Sequence, residues 1–199
     1  MKVKGFTLIE MVVTLIVGAI LVLGIAGFVE LGARGYSDTV DRQRLQSQAK
    51  FILEKMSREV RHAVPNMLNS DLAIPQATSC ISFFPIVESG FYAVSGADIN
   101  FVVGRNGVTV TNINTLNMVI NPTQANPTTN VFALTNVSSA SNTFILPDAA
   151  ASIAGGSISN RHYIYNPNGM VNYCLVAGQL HLSVSGATGV TTPAVAVSG

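Results

Sequence analysis

Residues 5–13 read Gly5-Phe6-Thr7-Leu8-Ile9-Glu10-Met11-Val12-Val13, an apolar run interrupted early by one carboxylate. From Phe6 to Val29, 24 residues, Glu10 is the only charged side chain. About 20 apolar residues suffice for a helix to cross a bilayer. Lys2 and Lys4 precede the run, and the positive-inside rule places them in the cytoplasm and the following chain beyond the membrane. A secretory signal peptide would have a shorter apolar core. Gly24-Ile25-Ala26 could serve as its small-residue cleavage site, but Glu10 stands where that core should begin. A plain anchor explains the length and leaves the acid unexplained. A carboxylate at mid-bilayer costs ~2.5–3.5 kcal/mol on insertion scales, and less near the interface. The span holds no Lys or Arg to offset it, so the partner is expected from outside the chain.

With the basic leader and the Gly-Phe junction, Gly5-Phe6-Thr7-Leu8-Ile9-Glu10 resembles the type IV prepilin signature, shared by pilins and type II secretion pseudopilins. The resemblance implies a pilin-like α+β fold: one long N-terminal helix, membrane-spanning in its first half, packed on a mainly antiparallel β head. It implies a leader of residues 1–5, cut between Gly5 and Phe6 by a prepilin peptidase that then methylates the new Phe6 amine. It further implies that Glu10 pairs with the N-terminal amine of a neighbouring subunit.

Beyond the span of residues 6–29, residues 30–64 read as an amphipathic continuation. Leu45, Ala49, Ile52, Met56, Val60 and Ala63 recur at steps of three and four, the signature of one helix face. Arg42, Lys50, Glu54, Arg58 and Arg61 fall on the reverse and read as a solvated face. Glu54 and Arg58 have the helix-stabilising i,i+4 polarity. Pro65 ends the pattern. A helix from Phe6 to about Val64 would be roughly 90 Å long at ~1.5 Å per residue. Gly18, Gly24 and Gly27 occupy the middle of the span, where many major pilins carry a proline. Two readings stand: the Gly24–Gly27 stretch loosens when the subunit leaves the membrane, or small residues let neighbouring helices approach.

Residues 65–199 have a different composition. Nine of the eleven Lys and Arg lie at or before Arg61, and from Leu72 onward the acids are Glu88, Asp98 and Asp148. This weakly charged region, rich in Asn, Ser, Thr, Val and Gly, suits an exported β domain. A net charge of +1 gives no argument for a nucleic-acid partner. Cys80 and Cys174 are the only cysteines. They read as two buried thiols in a reducing compartment, or as a disulfide if the head is exported. Ile81–Phe84 and Phe91–Val94 read as strands. Gly104-Arg105-Asn106-Gly107 reads as a hairpin turn between Ile99–Val103 and Val108–Val110. His162–Tyr165, Val171–Val176 and Leu180–Val184 read as a three-strand meander, turning at Asn166-Pro167-Asn168-Gly169 and Gly178-Gln179. Thr143–Leu146 is a further short strand within the loop-rich stretch from Asn112 to Ser159. The tail after Ser185 reads as weakly ordered, with room for a chain continuing past Gly199.

Nothing nominates an enzyme. Nucleophile elbow, phosphate loop, zinc-helix and dinucleotide motifs are all missing, and no cofactor or metal is called for. His62, His162 and His181 are isolated, and Tyr163, Tyr165 and Tyr173 read as cross-strand packing before they read as a carbohydrate site. The Arg58-Glu59-Val60-Arg61-His62-Ala63 helix end and Tyr173-Cys174-Leu175 resemble the J/W class of minor pilins and pseudopilins, most of all minor pilins of the mannose-sensitive haemagglutinin pilus. That likeness implies a low-abundance subunit near a filament tip that helps initiate assembly. Its partners would be the prepilin peptidase, major and minor pilins, the inner membrane before assembly, and a glycan or other surface ligand. The rivals are a type II secretion pseudopilin and a tip adhesin.

Overall fold

The computed structural model describes residues 5–70, 79–176, 179–184 and 192–196. The chain divides into two compact units, residues 1–50 and 51–199.

The first unit carries most of helix α1, Leu8–Arg61. The helix starts where Thr7 O accepts from the backbone N–H groups of Glu10 (3.1 Å) and Met11 (3.3 Å). It runs without interruption through Gly18, Gly24 and Gly27, and a Cβ added at any of the three would meet nothing within 4 Å. Ile52 is the only buried residue of α1. The large apolar side chains from Phe6 to Leu31 are exposed. This helix is long and apolar enough to cross a membrane.

The second unit begins with the last turns of α1. The helix stops at Arg61, and strand β1 (Ala63–Asn69) follows, so Ala63 and Val64 are already extended. Pro65 accounts for this, since its ring disfavours α backbone in the residue before it. Met56, Val60 and Ala63 pack against Phe83, Val171 and Tyr173, so this end of the apolar stripe serves as core.

Strand β2 (Ser79–Ser95) is 17 residues long and organises the head. Both strands expected at 81–84 and 91–94 belong to it. One edge pairs with β1 through Ser82–Pro85 and with β3 (Asp98–Val103) through Gly90–Ser95. The β2–β3 turn is Gly96-Ala97, with Gly96 at φ +62, the glycine-first form of a two-residue hairpin. Next come a one-turn helix α2 (Val110–Ile113) and strands β4 (Asn117–Ile120), β5 (Val131–Ala133), β6 (Ser138–Ala140) and β7 (Thr143–Leu146). Strands β8 (Arg161–Tyr165), β9 (Val171–Val176), β10 (Gln179–Val184) and β11 (Thr192–Ala196) complete an eleven-stranded sheet.

Two expected connections are corrected. The hairpin at 104–107 does not form: β3 pairs with β2 and β7, and Val110 opens α2. A type I′ turn needs positive φ at both central residues, and only Gly107 has it. Arg105 instead reaches back to an ion pair with the buried Glu88 on β2. The Asn112 side chain accepts from the Thr109 backbone N–H at 2.8 Å and so holds the start of α2. The meander is also half wrong. β9 and β10 pair antiparallel as expected, with Gly178 of their connection outside the described residues. β8 and β9 do not pair with each other. They lie end to end along the other edge of β2, β9 against Ser79–Phe83 and β8 against Ile86–Phe91. Asn166–Gly169 is therefore a turned excursion between collinear strands, held by Gly169 N–H to Asn166 O at 3.0 Å. A strand as long as β2 can seat both.

The main core gathers Tyr92, Ile99, Phe101, Met118, Phe144 and Ile164. The Asn-rich loops around it use that residue's tolerance of left-handed backbone. Asn121, Asn130, Asn142 and Asn160 all have positive φ, as does Asn66 within β1. Asn130 also accepts from Ala154 N–H (2.6 Å) and donates to Gly155 O (3.0 Å). The tail reading is tested only at Thr192–Ala196, where β11 pairs with β10; residues 185–191 and 197–199 lie outside the described residues.

Candidate assembly sites: the apolar helix start and the helix–head junction

Gly5 and Phe6 precede the helix, and Phe6 is exposed. Glu10 is in the first helical turn and also exposed. Thr14, one turn on, returns its hydroxyl to Met11 O at 2.9 Å, the local way to satisfy a hydroxyl in apolar surroundings. The Glu10 carboxylate has no such outlet, and among the described residues it has no hydrogen bond or ion pair. Further along, Glu30 and Arg34 pair at 2.6 Å. Glu54 and Arg58, the pair expected from spacing, meet at 3.5 Å with both side chains largely in solvent.

At the other end of α1, Tyr173 Oη donates to Glu59 Oε2 at 2.6 Å. Burial first, then the hydrogen bond to Glu59 and its negative charge, hold the Tyr173 phenol well above its ordinary range, so it stays a donor. Lys55 approaches the same carboxylate at 3.9 Å. Sequence reasoning missed this contact, since the partners are 114 positions apart. The next residue, Cys174, stands opposite Cys80 in the β2–β9 register, and the two are joined in a disulfide. One strand, β9, thus carries both the bond to the helix end and the covalent link to β2.

Of the tyrosines, Tyr165 and Tyr173 are buried while Tyr163 is half-buried. Burial raises the Tyr165 phenol, an effect opposed by a hydrogen bond with Asn117. His162 is fully buried with its ring edge-on to Phe101 at 5.2 Å. Both its ring nitrogens lack a hydrogen-bond partner among the described residues. Burial lowers its pKa from the ordinary 6.5 to about 4, so the imidazole is neutral at neutral pH.

Residues 1–26 match the family model described as the prokaryotic N-terminal methylation motif. Neither a curated protein nor a solved structure matches the chain at a significant level. The motif supports a type IV pilin or pseudopilin subunit, a structural rather than enzymatic family. It implies processing by a prepilin peptidase and assembly with other pilins. The long apolar helix followed by an antiparallel sheet is a pilin-like α+β layout, consistent with membrane anchoring before assembly into a filament.

Proposed function

We propose that the chain is a minor type IV pilin, a low-abundance subunit at or near the filament tip that helps initiate assembly and supports surface attachment. In this reading prepilin peptidase cuts between Gly5 and Phe6 and methylates the Phe6 amine. The processed subunit waits in the inner membrane with its head in the periplasm, then enters a pilus of the mannose-sensitive haemagglutinin kind. The observation that carries the reading is Glu10: a carboxylate in an apolar helix, without a partner among the described residues of its own chain, inside the matched motif. The free amine created at Phe6 of a neighbour supplies the opposite charge, and the pair forms only between processed subunits. The likeness of Arg58–Ala63 and Tyr173–Leu175 to the J/W class supports the minor, tip-proximal role. The test is to count surface filaments in cells with and without the gene. Fewer filaments in its absence are expected. Normal number and length would sink the priming role, and a secretion defect with normal pili would favour the pseudopilin.

A further inference from the structure

Asn-Gly is a dipeptide prone to self-modification, because glycine leaves the following amide nitrogen open to the asparagine side chain. The head contains two such pairs, Asn106-Gly107 and Asn168-Gly169. Both asparagines are exposed, so exposure does not separate them; their hydrogen bonding does. Asn168-Gly169 is tied at both nitrogens. The Asn168 N–H donates to Asn166 Oδ1 at 2.9 Å, and the Gly169 N–H donates to Asn166 O at 3.0 Å. Gly169 is also packed, since a Cβ there would lie 3.0 Å from Asn166 Cβ.

Asn106-Gly107 has none of these restraints. Among the described residues neither the Gly107 N–H nor the Asn106 side chain has a hydrogen-bond partner. Gly107 sits at φ +78, with nothing within 4 Å of where a Cβ would stand. The pair borders a hollow of about 290 Å³ together with Thr109, Ser139 and Asn142, polar side chains that admit water. The preceding residue, Arg105, holds the ion pair with Glu88. The Glu88 side chain is 5% exposed and that of Arg105 66%.

We propose that Asn106 is a site of spontaneous deamidation, selective over Asn168, that puts a new carboxylate beside the Arg105–Glu88 pair. The Gly107 nitrogen gives its proton to a solvent base and bonds to Asn106 Cγ. Ammonia leaves with a proton from solvent, and a succinimide ring remains. Water then opens the ring at either carbonyl, giving aspartate or isoaspartate. In sum one water is consumed and one ammonia released, with no oxidant or reductant. At Asn168 the same attack must first break the Gly169 hydrogen bond, which slows it by about three- to ten-fold. The new charge at position 106 competes with Glu88 for one guanidinium. Glu88 is the buried acid, and a buried charge whose partner is drawn away destabilises the fold. The modification is a one-way change that accumulates with the age of the subunit. It does not depend on the filament-priming role.

Full-length protein in detergent micelles is incubated at mildly alkaline pH and digested in acid. Mass spectrometry of the separated peptides then counts aspartate and isoaspartate at both positions over time. Asn106 is expected to convert about three- to ten-fold faster than Asn168 in the folded protein. The two rates should converge in denaturant, where neither glycine N–H is held. Equal rates in the folded protein, or faster loss of Asn168, overturn the proposal. So does the same bias persisting in denaturant, which would assign it to the flanking residues. The consequence is read with Asn106→Asp, expected to lower the unfolding midpoint by about 2–4 °C. The drop should be smaller in a Glu88→Gln background, where no buried charge depends on Arg105. An unchanged midpoint in Asn106→Asp, or an equal drop in both backgrounds, overturns the link to the ion pair.

Discussion

Along residues 8–40 the helix keeps its leucines, isoleucines and valines on the outside. The β head instead places Ile99, Met118, Leu134 and Ile164 where no solvent reaches them, and Phe101 where almost none does. Burial stabilises a large apolar side chain by about 1.5–3 kcal/mol, so an exposed array of more than a dozen on one helix is tolerable only if something else covers it. The motif at residues 1–26 and the apolar length of the helix are consistent with a membrane as that cover before assembly with other pilins. Polar groups divide the same way. Asn130 and Tyr173 find their partners inside the head, whereas the Glu10 carboxylate finds none among the described residues. One region buries its large apolar side chains against one another, and the other leaves them uncovered.

The largest effect should come from attacking the uncovered region. Glu10→Ala is expected to leave membrane insertion intact or slightly improved, because a charge is removed from an apolar span. If Glu10 pairs with a neighbour's amine as proposed, incorporation into filaments should be lost or severely reduced, since that amine would then be buried without a counter-charge. Immunoblots of sheared filaments against membrane fractions read both quantities. Unchanged incorporation would leave Glu10 without a role in assembly.

The second prediction attacks the head. The Cys80–Cys174 bridge spans 94 positions, and closing a loop of that length stabilises by up to about 4–5 kcal/mol in the chain-entropy model, often less in practice. Replacing both cysteines with serine should lower the head's unfolding midpoint sharply while leaving the apolar helix able to insert. A midpoint within about 2 °C of the parent would mean the sheet holds its register without the bond.

These two sites were legible in the sequence for different reasons. The Glu10 motif is local: a charge, a leader and an apolar run within a few residues. The disulfide was legible only conditionally, as the one pairing two cysteines can make if the head is exported. Strand pairing was much less so. Alternation marks where a strand lies but not its neighbours, and β2 takes four of them along its two edges. The Asn106-Gly107 signal failed because Arg105 had a buried acid to reach, a preference set by tertiary contacts rather than by the turn residues. His162 gave no signal at all, since its isolation in sequence says nothing of its burial.

That buried histidine supplies a smaller test of the head. The unfolded imidazole takes up a proton as the pH falls through 6.5, while the folded one stays neutral until about 4. The unfolded state therefore binds more protons in that window, and stability falls with falling pH. The loss accumulates between 6.5 and 4, reaches at most about 3 kcal/mol, and is absent above 6.5. Denaturant unfolding of the parent and of His162→Leu across this range isolates the contribution. An equally steep decline in the variant would assign the effect to other groups.

The smallest expected effect lies at the end of α1, where the helix joins the sheet. Tyr173→Phe deletes the hydroxyl that Glu59 accepts at 2.6 Å but keeps the ring against Phe83. The Glu59 side chain is about one-third exposed, so water can replace the lost donor, and the cost should be near 1 kcal/mol rather than the full price of a buried unpaired charge. Because Glu59 helps hold the phenol protonated, Glu59→Gln should bring the Tyr173 titration back toward its ordinary range in an absorbance measurement. The double variant should cost less than the two singles summed if the bond is the shared term. Strict additivity would mean that Met56 and Val60 hold the helix end by packing alone, and that the hydroxyl serves only to satisfy itself.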